Sequence, residues 1–204
     1  PTPGVVNTSP GPLIAEVLSS PLEPTDTDDV VITAEVLGAL GSSGMVQLEY
    51  RVMYASSNSL SMEDDGVSPD AVAGDGIYTA AIPASVSSPG DMLRWSVFAL
   101  DANFNGTREP PYLDPLGDPE FFGTIISDPS IVTPQRVFHW FVQNPSFANS
   151  VSGTQCSLWF EGRFYDNIHV NARGNTSLGY PKKSYKLDFN GGDRFFLEES
   201  GRKV

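Results

Sequence analysis

The chain has 204 residues, 40 % of them hydrophobic and 18 % charged, with 25 acids against 12 lysines and arginines and a net charge of −13. That length and apolar content suffice for a buried core in one large or two modest domains. Residues 1–133 hold 19 acids against three arginines and no lysine, net −16, while 134–204 hold six acids against nine basic residues, net +3; a first part so poor in cations excludes a nucleic-acid role for it, because phosphate contact depends on Lys and Arg.

The opening stretch Pro1 to Pro12 has no basic end and no apolar centre, so it reads as an N-terminal extension and not as a signal peptide. No run approaches the roughly 20 apolar residues of a membrane helix. Segments 13–18, 30–37, 45–53, 76–82 and 92–100 are short apolar or alternating runs between clusters of Pro, Gly, Ser and Asp, the spacing of an all-β sandwich. In "MVQLEYRVM" Val46, Leu48, Tyr50 and Val52 share one face and Gln47, Glu49 and Arg51 the other; "MLRWSVFAL" repeats the pattern with Leu93, Trp95, Val97 and Ala99. Seventeen prolines argue against long helices.

Between the third and fourth of these runs lies "MEDDGVSPDAVAGDGIYTA", which sets Asp64, Asp65, Asp70 and Asp75 among Gly66, Gly74 and Gly76. Two readings stand side by side. Oxygen ligands on a glycine-containing loop suit a hard cation such as calcium, although the spacing is not that of a helical-hand calcium loop. Asp and Gly are equally the residues of tight turns, through side-chain-to-backbone bonds and positive φ.

From Thr107 to Pro134 the chain is rich in Pro, Asp and Gly, which marks a linker or edge segment; the expected division is a sandwich over 13–115, a linker over 116–133 and a second unit over 134–204. In that second unit Val137 to Val142 reads as a strand and "NPSFANS" as the start of a short helix, with Asn144 as cap and Pro145 in its first turn. "CSLWFEGRFYDNIHVNARG" reads as two strands joined at Glu161 and Gly162, the second with Ile168, Val170 and Ala172 on one face and His169, Asn171 and Arg173 on the other. A third strand is "KKSYKLDF", where Lys183 shares the face of Tyr185 and Leu187 while Lys182 and Lys186 share that of Ser184. The only cysteine, Cys156, reads as a small buried hydrophobe. His139 and His169 have no second His or Cys at ligand spacing, which argues against zinc.

Two resemblances follow from these residues. "TDTDDVVITAEV", "VQLEYRV", "SMEDDGVSPDAVAGDGIYTAAIPA" and "LRWSVFALDANFN" resemble the immunoglobulin-like modules of large secreted bacterial proteins, which are generally accessory and not catalytic. "VFHWFVQNPS" followed by "EGRFYDNIHVNARGNTSLGYPKKSYKLDFNGGDRF" resembles the opening of the CotH family, named for spore-coat protein kinases and widespread in secreted and surface bacterial proteins. The ordered match runs through Tyr165, Asp166, Ile168, Val170, Arg173, Gly174, Ser177, Pro181, Lys182, Lys183, Ser184, Tyr185 and Lys186.

The resemblance implies a mostly β chain, an immunoglobulin-like β-sandwich followed by the sheet that opens a kinase-like domain, from an extracellular or cell-surface protein. It implies that Arg173, Ser177, Lys182, Lys183 and Lys186 contact nucleotide phosphates, since phosphoryl transfer is mostly positioning and charge stabilisation. It supplies no catalytic residue, because the family's metal-binding and catalytic acids come later in its sequence. Nucleotide with magnesium is therefore expected only with a whole domain, and the chain reads as a piece of a longer protein, ending at "SGRKV" just after a charged run. The competing reading of the same lysines is an edge strand blunted against pairing. At the level of function it corresponds to a structural subunit or adhesin segment whose partners are other proteins or its own copies at the extracellular surface. Carbohydrate binding has only aromatics such as Phe104 and Tyr112 in its favour.

Overall fold

The computed structural model describes residues 11–38, 40–41, 44–111, 119–174, 179–190 and 195. The described chain is mostly β, with three antiparallel sheets, one short α-helix and one turn of 3-10 helix over Ala84–Val86.

The first sheet joins β1 (Leu13–Ser20), β2 (Val30–Leu37) and β5 (Ile77–Ile82) in the order β1-β2-β5. The second joins β3 (Met45–Val52), β4 (Asn58–Met62), β6 (Met92–Leu100) and β7 (Gly106–Glu109) in the order β4-β3-β6-β7, and β8 (Phe122–Ile125) pairs with the start of β6. One core lies between them. Ile32 and Ala34 from β2, Leu48 from β3 and Val97 and Ala99 from β6 lose all exposure there. Burying one such aliphatic side chain stabilises the fold by about 1.5–3 kcal/mol. The alternation read in β3 is observed, with Val46, Leu48 and Tyr50 inward. In β6 it breaks down, because Met92 through Val97 are buried on both faces.

The stretch expected as a linker over 116–133 contains β8, whose register sets Trp95 against Phe122 and Met92 against Ile125. Its Pro- and Asp-rich composition hid a four-residue strand that a neighbouring strand end recruits. β4 and β7 are likewise short strands outside the expected runs.

A third sheet, in the order β12-β11-β10-β9, is built from β9 (His139–Val142), β10 (Thr154–Phe160), β11 (Arg163–Arg173) and β12 (Ser184–Asp188). The helix α1 (Pro145–Ala148) starts as its sequence dictates: Asn144 Oδ1 accepts from the amides of Ser146 and Phe147, and Pro145 fills the first turn. Glu161 and Gly162 turn β10 into β11 with φ of 48° and 80°, the left-handed pair a two-residue hairpin requires.

Within β11 the ladder carries a bulge. Cys156 faces Ile168 and Leu158 faces Tyr165, so Asp166 and Asn167 together oppose Ser157, with Asn167 at φ 51°. The extra residue puts Tyr165 on the same face as Ile168 and Val170, where they pack with Cys156 and Leu158. The opposite face of this sheet lies against the first unit: Phe141 and Trp159 form a small core with Met92 and Ile125, flanked by Met53, Tyr54 and Phe164. This contact is what buries the second face of β6.

Candidate functional site

Of the residues that the CotH resemblance singles out for phosphate contact, Arg173 ends β11 and Lys186 lies on the neighbouring β12. Their register sets Arg173 against Ser184 and Asn171 against Lys186. A cavity of about 370 Å³ opens at this end, lined by Arg173, Lys186, Tyr185, Phe138, Phe189 and Phe195, among others. It is an aromatic space with two cations at its wall: Phe138 also stacks on Phe160 at 4.1 Å, and Phe189 and Phe195 lie 5.6 Å apart.

The structure brings Arg173 and Lys186 together at this cavity. Lys182 is exposed and Lys183 half-buried just before β12, and neither lines it. Ser177 and Tyr112 lie outside the described residues. Lys186 is paired with Asp188 at 2.7 Å, both about half exposed. The described acids of the second unit are Glu161, Asp166 and Asp188, and each is in an ion pair: Glu161 with Arg136 at 2.9 Å, Asp166 with Arg94 at 3.3 Å, and Asp188 with Lys186. They do not converge, so they do not fit a magnesium site beside nucleotide phosphates. His139 packs edge-on against Trp159 and His169 is exposed on β11; among the described residues no group of three metal-ligating side chains is gathered.

The four aspartates of the acidic loop are placed individually. Asp64 Oδ1 accepts from the amides of Gly74 at 2.6 Å and Asp75 at 3.2 Å, and its Oδ2 from Gly76 at 3.0 Å. Asp65 accepts from Val67, Asp75 from Ile77, and Asp70 from Gly66 and from Ala71. Gly66, Gly74 and Gly76 hold φ of 70°, 75° and 85°, which turn the amides inward at little steric cost. Amide donors thus hold each carboxylate. Asp64→Ala is expected to lower stability by about 1–2 kcal/mol, measured by urea denaturation, because three loop amides lose their acceptor. Melting with calcium and with a chelator tests the cation reading of the same loop: equal midpoints would count against it, and a calcium-dependent rise would show that the loop holds a cation.

Sequence reasoning missed a polar centre between the two units. Asp166 Oδ1 accepts from Arg94 Nη1 at 3.3 Å and from the Ser157 hydroxyl, and Oδ2 accepts from the Phe121 amide at 3.0 Å. Arg94 Nη2 donates to the Met53 carbonyl at 2.8 Å, and the Tyr54 hydroxyl donates to the Phe141 carbonyl at 2.9 Å. The Arg94 and Asp166 side chains are 4 % and 1 % exposed. Burial, and secondarily repulsion from Arg94, holds the pKa of Arg51 below its usual value, while burial lifts that of the Tyr54 hydroxyl above the ordinary tyrosine range. The available signal was the placement of Arg94 in an otherwise apolar strand start, "MLRW".

A scan against protein-family models finds no match to this chain, and a search of curated proteins finds none either.

Proposed function

We propose that this chain comprises an immunoglobulin-like accessory module and the opening sheet of a CotH-type kinase-like domain from a secreted or surface bacterial protein. In this reading Arg173 and Lys186, aided by Lys182 and Lys183, contact the phosphates of a nucleotide. The observation that carries it is the ordered motif from Tyr165 to Lys186, in which Asn171 to Arg173 pair with Ser184 to Lys186 across β11 and β12, and Arg173 and Lys186 line one aromatic cavity. An aromatic wall beside cations suits a base next to phosphates. The order β1-β2-β5 facing β4-β3-β6-β7 supports the immunoglobulin-like part. Because the nearby acids are committed to ion pairs, the activity expected of these residues is phosphate contact and not transfer.

Titration calorimetry with ATP, with and without magnesium, tests the reading. Binding is expected, and Arg173→Ala or Lys186→Ala is expected to weaken it roughly 10- to 100-fold, the value of one charge-assisted contact. Absence of binding, or binding that neither substitution alters, overturns it. The second reading is a structural segment of an extracellular assembly, favoured by Leu13 and Leu18, which lie 57 % and 55 % exposed on the edge strand β1. Ordered oligomers forming without nucleotide would favour it.

A further inference from the structure

The first 133 residues contain three cationic side chains, Arg51, Arg94 and Arg108, against 19 acids. With so many carboxylates available, each arginine could have had a separate surface partner. Arg51 does reach Glu49 at 4.0 Å, yet all three meet over the ring of Phe121, their guanidinium carbons 4.1, 5.4 and 4.9 Å from its centre. Arg51 and Arg94 are direct cross-strand neighbours on β3 and β6, an arrangement that like charges disfavour. The electron-rich face of Phe121 and the carboxylate of Asp166 offset that repulsion.

Asp166 comes from the other unit. Its three donors belong to three separate segments: Arg94 on β6, the Phe121 amide at the entry to β8, and Ser157 on β10. The bulge at Asn167 aims Asp166 toward the first unit and away from the face that carries Cys156, Leu158 and Ile168. Breaking a buried ion pair by removing one partner is costly, and here further hydrogen bonds hold both side chains, with Arg94 Nε left as a buried donor that has no partner among the described residues.

We infer that Asp166 is a positioning residue: through the arginine cluster around Phe121 it fixes β11 against the first unit, so the two units form one body and the accessory sheets brace the strand that ends in Arg173. The brace on Arg173 rests on the nucleotide reading, whereas the docking itself does not.

The test is hydrogen exchange followed by mass spectrometry on the full chain, with Asp166→Asn and the milder Tyr54→Phe, alongside titration with pyrophosphate. In the native chain a single thermal transition is expected, with the segments around Phe121, Ser157 and Phe164 protected. Asp166→Asn is expected to speed exchange there roughly 100-fold, with the amides of β2 and β5 unchanged. Tyr54→Phe, which keeps the ring and loses one hydroxyl, is expected to speed it roughly two- to tenfold and decides the matter if Asp166→Asn does not fold. Pyrophosphate affinity is expected to fall several-fold in Asp166→Asn although Arg173 and Lys186 are intact. Two separate transitions in the native chain, or exchange at Phe121 unaltered in both variants, overturns the docking inference. Altered exchange with unaltered pyrophosphate affinity overturns the brace. If pyrophosphate binds neither protein, the nucleotide reading and the brace fall together, and the docking stands or falls on exchange alone.

Discussion

Arg94→Met is expected to lower the unfolding free energy by about 3–5 kcal/mol, the cost of leaving a buried charge without its partner. Asp166 would keep the Ser157 hydroxyl and the Phe121 amide but lose its paired guanidinium, in a place where its side chain is 1 % exposed. The Met53 carbonyl would lose its donor at the same time. Removing both charges, with Arg94→Met and Asp166→Asn together, is expected to recover much of that loss, because a neutral pair of similar shape has no ionic desolvation to offset. Arg136→Met provides the contrast. Arg136 and Glu161 are about half exposed at 2.9 Å, and their separation is expected to cost at most about 1 kcal/mol. Urea midpoints for the four proteins check the ranking. A loss below about 1 kcal/mol for Arg94→Met would mean that water reaches Asp166 readily.

Cys156 is expected to resist alkylation almost completely until the second unit unfolds. Burial first, and the negative charge of Asp166 second, push its thiol pKa up to about 12, and the residue is 1 % exposed. At pH 8 a pKa near 12 leaves roughly one thiolate in ten thousand, against about a quarter for an ordinary cysteine near 8.5, and the thiolate is the reactive form. Reaction with iodoacetamide at pH 8 is therefore expected to be suppressed more than about 1,000-fold relative to the urea-unfolded chain. Its rate should rise with denaturant in step with loss of β10 and β11. Labelling of the native protein within tenfold of the unfolded rate would contradict the packing of Cys156 against Leu158 and Ile168.

The long strands were legible because their chemistry is local. β2 and β3 carry an apolar period of two, and the start of α1 is written in Asn144 and Pro145. The turn at Glu161 and Gly162 was equally plain. β8 was hidden because a strand of four residues has little periodicity, and what recruits it is the exposed ladder of β6. The lysine cluster was visible as composition, but which cation reaches a cavity depends on the pairing of β11 with β12, and only Lys186 does. The acidic loop reads as turn chemistry or as a cation site from its residues alone, and the amides that each carboxylate accepts could be placed only by the fold. Least legible was the pairing of Arg94 with Asp166, since 72 positions separate them and no local pattern links an arginine in one sheet to an aspartate in another.

The bulge at Asn167 makes β11 a strand read in two frames. Up to Asp166 the even-numbered side chains look toward the first unit; from Ile168 onward the even-numbered ones fill the opposite core. Substitution at Asn167 leaves both frames in place, though most side chains are strained at its φ of 51°. Deleting the same residue would merge them, carrying Ile168, Val170 and Ala172 out of their core and His169, Asn171 and Arg173 into it, or else turning Asp166 away from Arg94. This strand therefore tolerates spelling changes far better than changes of length, and the position where its length is most tightly held has a side chain that is only half-buried.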